Sequence, residues 1–206
     1  MMIRSLWFRV QLFLAGVGMA AGLGCAGSPP AKFYILSPLT TTGEMKPEKG
    51  AAGQNLTIGI GPVSLPQYLA RKEIVTRTDA NQIDLAEYDL WGGSLQDDFS
   101  RNLLENLSLL LAGDRVSLFP WPRVAALDYR VGVDVMRFDG NRGGDVVLIA
   151  NWTIREREGA KLVRVHTSRI QEPSGGQGYE AMVGGMSRAL GRLSREIGEA
   201  IKDLPR

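Results

Sequence analysis

The sequence of 206 residues is poor in the side chains that build disulfides and metal sites, with one cysteine and one histidine. A single cysteine excludes a disulfide within the chain, and these two residues are too few for a zinc site made mainly of Cys and His. The net charge is also small, because 24 basic and 22 acidic side chains leave a formal charge of +2. A charge this close to zero does not indicate a nucleic-acid partner. Wholesale disorder is excluded too, since 44% of the residues are apolar and 22% are charged.

Long apolar runs are equally rare, and the notable one lies at the N-terminus. Residues 10–23 carry no charge and follow Arg4 and Arg9. The run is shorter than the roughly 20 residues that a membrane-spanning helix needs. A basic start, a short apolar run and small residues after it predict a secretory signal peptide over residues 1–24.

The only cysteine, Cys25, lies where cleavage of that signal is expected. The segment AGLGC resembles a bacterial lipobox, except that Gly22 stands where leucine is usual. We therefore expect Cys25 to be lipid-modified and to become the first mature residue; a soluble secreted protein with an incidental cysteine is the alternative. Removing Arg4 and Arg9 with the signal leaves 22 basic and 22 acidic side chains. By resemblance to other Gram-negative lipoproteins, Ala26 in place of aspartate favours the outer membrane.

The mature chain divides into a short tether and one domain. Residues 25–31 form the tether, which spans at most about 24 Å when extended. Residues 32–206 form the domain, in which the polar stretch 37–55 predicts a mobile surface loop.

Hydrophobic spacing in this domain predicts strands and two helices. Strands are expected at 32–36, 56–60, 74–77, 82–85 and 116–119, followed by a three-stranded antiparallel meander at 129–136, 145–155 and 162–170. Helices are expected at 91–112 and 179–202, with apolar stripes formed by Leu95, Phe99, Leu103, Leu107 and Leu110 and by Met182, Met186, Leu190, Leu193, Ile197 and Ile201. The predicted fold class is α/β, a single domain whose mixed, largely antiparallel sheet is covered by two amphipathic helices after a lipoprotein signal peptide.

The groups that could do catalysis do not form a recognised site. His166 falls within a predicted strand, and the sequence has no G-x-S-x-G serine to accompany it. Asp97 and Asp98 are neighbours on a helix, so their side chains diverge by about 100° and cannot act as a pair. The sequence therefore predicts no enzyme, no catalytic residue, no metal site and no cofactor other than the lipid on Cys25.

Apolar residues in connecting segments are the better functional candidates. Leu65, Tyr68 and Leu69 follow a bend set by prolines, and Trp91 and Trp121 lie in predicted connections. Such side chains either fill the core or anchor a partner. We expect these five residues to form a partner or oligomer interface.

Several segments, taken in order along the mature chain, resemble the PqiC family, the auxiliary lipoproteins of ABC-type and MCE (mammalian cell entry) lipid-transport systems. They are Phe33–Leu36, Ile58–Val63, Leu65–Leu69, Ile74–Arg77, Leu85–Tyr88 with Trp91, Phe119–Trp121, Val133–Val135, Arg137–Gly140, Trp152, Tyr179–Val183 and Leu193–Ile197.

The resemblance implies a non-enzymatic protein at the periplasmic face of the outer membrane. Family members partner an MCE-domain tunnel that spans the periplasm and works with an inner-membrane transporter to move phospholipid or other hydrophobic molecules. We therefore expect a homo-oligomeric lipoprotein that docks such a system and supports envelope integrity. The alternative is a periplasmic lipid carrier with an apolar cavity. Permanent acylation on a short tether argues against it, because a carrier must leave the membrane.

Overall fold

The computed structural model describes residues 28–40, 55–121, 126–156 and 161–204, and Ala31–Arg206 forms one compact unit. The predicted signal peptide and Cys25 lie outside the described residues, as does the stretch 41–54 of the predicted loop. Within the described ranges, neither helix has a segment apolar and long enough to cross a bilayer.

The described residues form eight strands and two helices. In chain order they are β1 (Lys32–Tyr34), β2 (Thr57–Ser64), β3 (Glu73–Asp79), β4 (Gln82–Trp91), α1 (Leu95–Leu110), β5 (Arg115–Leu118), β6 (Tyr129–Gly140), β7 (Asp145–Glu156), β8 (Lys161–Pro173) and α2 (Gly178–Lys202), with a short 3₁₀ turn at Gln67–Leu69 between β2 and β3.

The strands make one mixed sheet that forks along one edge of β6. On one side, β6, β7 and β8 pair as the predicted antiparallel meander. On the other side, the first half of β6 pairs in parallel with β2, and its last residue, Gly140, pairs with Thr76 of β3. β2 carries β5 as its outer neighbour, and β3 leads through β4 to β1. The predicted fold class is confirmed.

One face of this sheet is covered by both helices. Alternate residues of the central strands are buried against apolar stripes of α1 and α2, and the rings of Phe99 on α1 and Phe138 on β6 meet edge to face at 5.4 Å. The predicted helix stripes are confirmed, with one half-buried exception, Leu110. We call this side the covered face; its strand residues include Ile58, Ile60, Val131, Val133, Val135, Val146, Leu148, Ala150, Trp152 and Ile154.

The start of the first helix corrects the predicted range 91–112. Ser94 caps the helix with its side-chain oxygen, which accepts a hydrogen bond from the Asp97 amide at 3.3 Å. Trp91 instead ends β4, and Gly92-Gly93 separates the two elements. Because Ser is a favoured N-cap and Gly a poor helix former, the sequence did contain the signal for this boundary.

The segment after β1 is also more ordered than the predicted loop suggests. The Leu36 amide donates to Asp98 of α1 at 2.6 Å, and the Ser37 amide donates to Ser187 of α2 at 3.0 Å. Leu39 is buried, and its amide donates to Asn106 at 2.8 Å. The chain from 36 to 39 therefore contacts both helices: residues 37–40 form no helix or strand, as predicted, but they pack on the helices instead of lying free at the surface.

Candidate docking site

An apolar groove of about 550 Å³ lies beside β1, where three segments of the chain meet. The Trp91 amide donates to the Lys72 carbonyl at 2.7 Å, and the Gly92 amide donates to the Tyr34 carbonyl at 2.8 Å. These bonds hold β1, the segment before β3 and the end of β4 side by side. We call the resulting concavity the N-terminal groove; its lining includes Phe33, Leu65, Leu69, Arg71, Lys72 and Trp91.

Three of the five predicted interface residues contribute to this groove, but two of them serve mainly the core. Leu69 is 3% exposed and Trp91 is 4% exposed, so little of either side chain can meet a partner. Leu65 is half-buried and packs against the core. A partner contact through these residues stays a prediction, and the structure limits it to the rim of the groove.

Tyr68, the fourth predicted residue, reaches a buried ion cluster at the fork of the sheet. Its hydroxyl donates to Asp139 of β6 at 2.7 Å. The same carboxylate pairs with Arg77 of β3 at 3.0 Å and with Arg137 of β6 at 2.8 Å, and its side chain is fully buried while both arginines stay partly exposed. Because the cluster joins the 3₁₀ turn to two strands, Tyr68 has a structural role in addition to any docking role.

Protonation equilibria within this cluster are shifted by its geometry. Burial would raise the pKa of Asp139, but hydrogen bonds from Arg77, Tyr68 and Arg137 outweigh burial and lower that pKa. Burial, followed by the hydrogen bond to Asp139, raises the pKa of Tyr68 to about 12. The cluster therefore contains an ionised carboxylate and a neutral phenol at neutral pH.

Trp121, the fifth predicted residue, lies apart from the groove and contributes nothing to its lining. It covers Gly59 of β2, where a Cβ atom would come within 2.7 Å of the indole ring. Its ring nitrogen donates to the Ser117 carbonyl at 3.2 Å, and the Arg130 guanidinium lies 5.4 Å from the ring centre. The ring of Phe119, which is largely exposed, meets it edge to face at 5.2 Å. We call Phe119 and Trp121 the aromatic corner.

Two exposed side chains in and directly after β1 were not among the sequence candidates. Phe33 and Ile35 are 68% and 65% exposed. The sequence places them in a strand, and only the sheet order shows that β1 is an edge strand with β4 as its neighbour.

The described residues contain no group of three or more acidic, histidine or cysteine side chains placed to hold a metal ion. His166 lies exposed on β8, with its ring 5.3 Å from the ring of Trp152. The concavity there, about 220 Å³, is lined by both rings together with Glu196 and Glu199 of α2.

Comparison with known proteins gives one family match and two curated relatives. A family described as the ABC-type transport auxiliary lipoprotein component matches residues 34–198. The chain is 25% identical over 182 residues to the intermembrane transport lipoprotein PqiC of Escherichia coli K12, covering 88% of this chain and 92% of that protein. The PqiC protein of Shigella flexneri matches with the same identity and coverage.

Solved structures share the fold. An uncharacterised protein superposes with a TM-score of 0.69 at 23% identity, over 84% of this chain and 99% of that one. A Xanthomonas campestris protein superposes with a TM-score of 0.67 at 13% identity, over 82% of this chain and 94% of that one. The first neighbour is a chain with little beyond the shared domain.

Proposed function

The chain belongs to the family of ABC-type transport auxiliary lipoproteins, and from this premise we propose that it docks an MCE-type lipid-transport system at the periplasmic face of the outer membrane. Its partners in this proposal are the MCE-domain tunnel protein, the inner-membrane transporter behind it and further copies of itself. Cys25 carries the lipid that holds it at the membrane, and no catalytic step is part of the role.

The position of the first strand carries this proposal. β1 begins at Lys32, seven residues after Cys25, and pairs directly with β4 at the edge of the sheet. An acylated Cys25 would therefore attach a folded domain to the bilayer through at most about 24 Å of chain. A domain held so close to a membrane suits an adaptor that presents a protein surface there, because it cannot diffuse away with a cargo.

The aromatic corner is the better candidate for contacts between copies. Phe119 is exposed, and Trp121 is half-buried with one face against the sheet. Aromatic side chains with this partial exposure are enriched in protein interfaces. With 22 basic and 22 acidic side chains in the mature chain, copies can associate without long-range repulsion.

A lipid carrier would need space for its cargo. In the described residues, the volume between the sheet and the helices is filled by fully buried side chains such as Phe99, Phe138 and Leu190. A carrier would therefore have to use a surface concavity that is open to solvent, such as the N-terminal groove. Lipid that co-purifies with the acyl-free domain would favour the carrier over the adaptor.

Complex formation in membranes tests the adaptor directly. Wild-type lipoprotein should co-purify with its MCE partner in mild detergent, and Cys25→Ser should release the chain from the membrane fraction. A strain that lacks the protein should become sensitive to detergents, and Cys25→Ser should not restore resistance. A wild-type chain without acyl mass, or one that never co-purifies with the MCE protein, would contradict the proposal.

Light scattering on the acyl-free domain, alone and with the MCE protein, tests the oligomer. Phe119→Ser keeps the Cβ atom that packs on Gly61 and should lower the mass of the assembly. Leu162→Ser, an exposed apolar residue on β8, is the matched control and should leave the mass unchanged. A strict monomer under both conditions contradicts the proposed oligomer.

A further inference from the structure

The surface around β1 combines exposed apolar side chains with cations. Phe33 shares the groove lining with Arg71 and Lys72, and no carboxylate belongs to that lining. Ile35 borders the same surface, since its Cγ2 atom lies 3.1 Å from the point where a Cβ atom would stand if Gly92 carried one. Single exposed apolar residues are common, but neighbouring ones beside an apolar groove form a patch that a partner normally covers.

The cations of this surface have no acidic partner among the described residues. Arg71 and Lys72 take part in none of the ion pairs found there. Arg71 donates instead to the Tyr68 carbonyl at 2.9 Å, which fixes its stem and leaves most of its charge to the solvent. Two unpaired positive charges beside apolar side chains favour an occupant that is both apolar and negatively charged.

We propose that this surface rests on an anionic phospholipid bilayer, with Phe33 and Ile35 in the headgroup region and the cations near lipid phosphates. We call it the β1 patch: Phe33, Ile35, Arg71 and Lys72. The inference rests on the proposed lipid anchor, because Cys25 is what brings the patch within about 24 Å of the bilayer. Partial insertion of apolar side chains together with nearby cations is the usual chemistry of binding at a membrane surface.

Charge complementarity favours a bilayer over a second copy of the chain. A symmetric contact uses the same patch on both copies, so it would bring the cations of one copy against those of the other. An anionic bilayer instead offers phosphates to every cation, and each Lys or Arg near such a surface strengthens binding about fivefold. The patch would also fix which way the domain faces, leaving the aromatic corner for protein contacts.

Vesicle binding by the acyl-free domain, residues 31–206, tests the patch without the anchor. The probe is sedimentation with vesicles of phosphatidylcholine, with or without phosphatidylglycerol. Wild type should bind the phosphatidylglycerol vesicles, and added salt should weaken binding. Phe33→Ser with Ile35→Ser should reduce binding at least about tenfold. Arg71→Gln with Lys72→Gln should reduce it about twenty-fivefold, and only on the anionic vesicles.

Matched pairs on β8 control for general effects of lost apolar area or charge. Leu162→Ser with Val165→Ser removes two exposed apolar side chains, and Arg164→Gln with Arg169→Gln removes two exposed cations. Both control pairs should bind vesicles as wild type does. Equal losses in test and control pairs would overturn the inference, as would a wild-type domain that binds neither kind of vesicle.

Two further outcomes separate this inference from the proposed function. If Phe33→Ser with Ile35→Ser lowers the mass of an oligomer and leaves vesicle binding unchanged, the patch is a contact between copies and the inference is wrong. If the lipoprotein co-purifies with the MCE protein but the acyl-free domain does not bind vesicles, only the membrane contact is refuted. If the domain binds vesicles but the lipoprotein never co-purifies with the MCE protein, only the docking is refuted.

Discussion

The two faces of the sheet differ in what their side chains meet. On the covered face, buried apolar residues of six strand segments and both helices form one continuous core. On the other side, the open face, side chains are polar or half-exposed. There Ser64, Asp134, Asn151 and Thr167 form a row across four strands, joined by hydrogen bonds between the first two and the last two.

The open face has its own buried points, and they are local. Trp121 covers Gly59, and Asp139 lies beneath Arg77, Arg137 and Tyr68. Asp139 belongs to this face because it pairs with Val147, whose neighbours in β7 alternate onto the covered face. The covered face therefore depends on collective apolar burial, whereas the open face depends on a few specific contacts. Substitutions should separate these two kinds of stabilisation.

The largest effect is expected on the covered face, at Leu190 of α2. Its side chain is fully buried in the core, so Leu190→Ala removes apolar contacts and leaves a cavity. The free energy of unfolding should fall by about 2–5 kcal/mol in chemical denaturation. Leu162→Ala, on an exposed site of β8, is the control and should change it by less than about 0.5 kcal/mol. A similarly small change at Leu190 would place this stripe of α2 outside the core.

Asp139→Asn should produce the largest effect on the open face. It leaves two arginines without their shared carboxylate, but both are partly exposed and can regain water. We expect a loss of about 1–3 kcal/mol in the free energy of unfolding at neutral pH.

The pH dependence of that loss identifies its cause. The pKa of Asp139 is lowered in the folded protein, so its stabilising contribution is present above the pKa of the unfolded chain. The contribution declines as the pH falls through the lower, folded-state pKa. The difference in unfolding free energy between wild type and Asp139→Asn should therefore shrink in acid. A difference that stays constant with pH would mean that charge is not what Asp139 contributes.

The contrast between the faces also explains what the sequence could predict. Regular apolar spacing predicted the meander, both helices and their stripes, because collective burial repeats with the period of each element. The fork at β6 was not predictable in this way, since the parallel pairing of β2 with β6 joins segments about 70 residues apart and leaves no local pattern.

The candidate site shows the same limit. Aromatic and leucine residues in connections were identified, but burial of Leu69 and Trp91 depends on three segments meeting at β1. Asp139 was not predicted as a site residue, because an aspartate within a strand does not indicate the two arginines and the tyrosine that surround it.

Tyr68→Phe is a milder test of the same cluster. The change removes only the hydroxyl that donates to Asp139, so the free energy of unfolding should fall by about 1 kcal/mol. The pKa values of both Tyr68 and Tyr34 are raised to about 12, so ultraviolet titration of the wild type should show late-ionising tyrosines, and the variant should lose one of them and keep Tyr34. If Tyr68→Phe instead weakens oligomer assembly and leaves stability unchanged, the hydroxyl acts at an interface.

The smallest effect is expected at Val165, on the open face of β8. Its side chain is 61% exposed, whereas Val133 on the covered face is 3% exposed. Threonine has nearly the volume of valine but adds a hydroxyl, so the same substitution at both sites compares the faces directly. Val165→Thr should change the free energy of unfolding by less than about 0.5 kcal/mol, because water still reaches the hydroxyl. Val133→Thr should cost about 1–3 kcal/mol, since it buries an unpaired hydroxyl. Equal losses would show that the open face is covered in solution. Light scattering on Val165→Thr would then identify the cover. A lower assembly mass than that of the wild type would indicate a second copy, and an unchanged mass would indicate a tighter fold of the single chain.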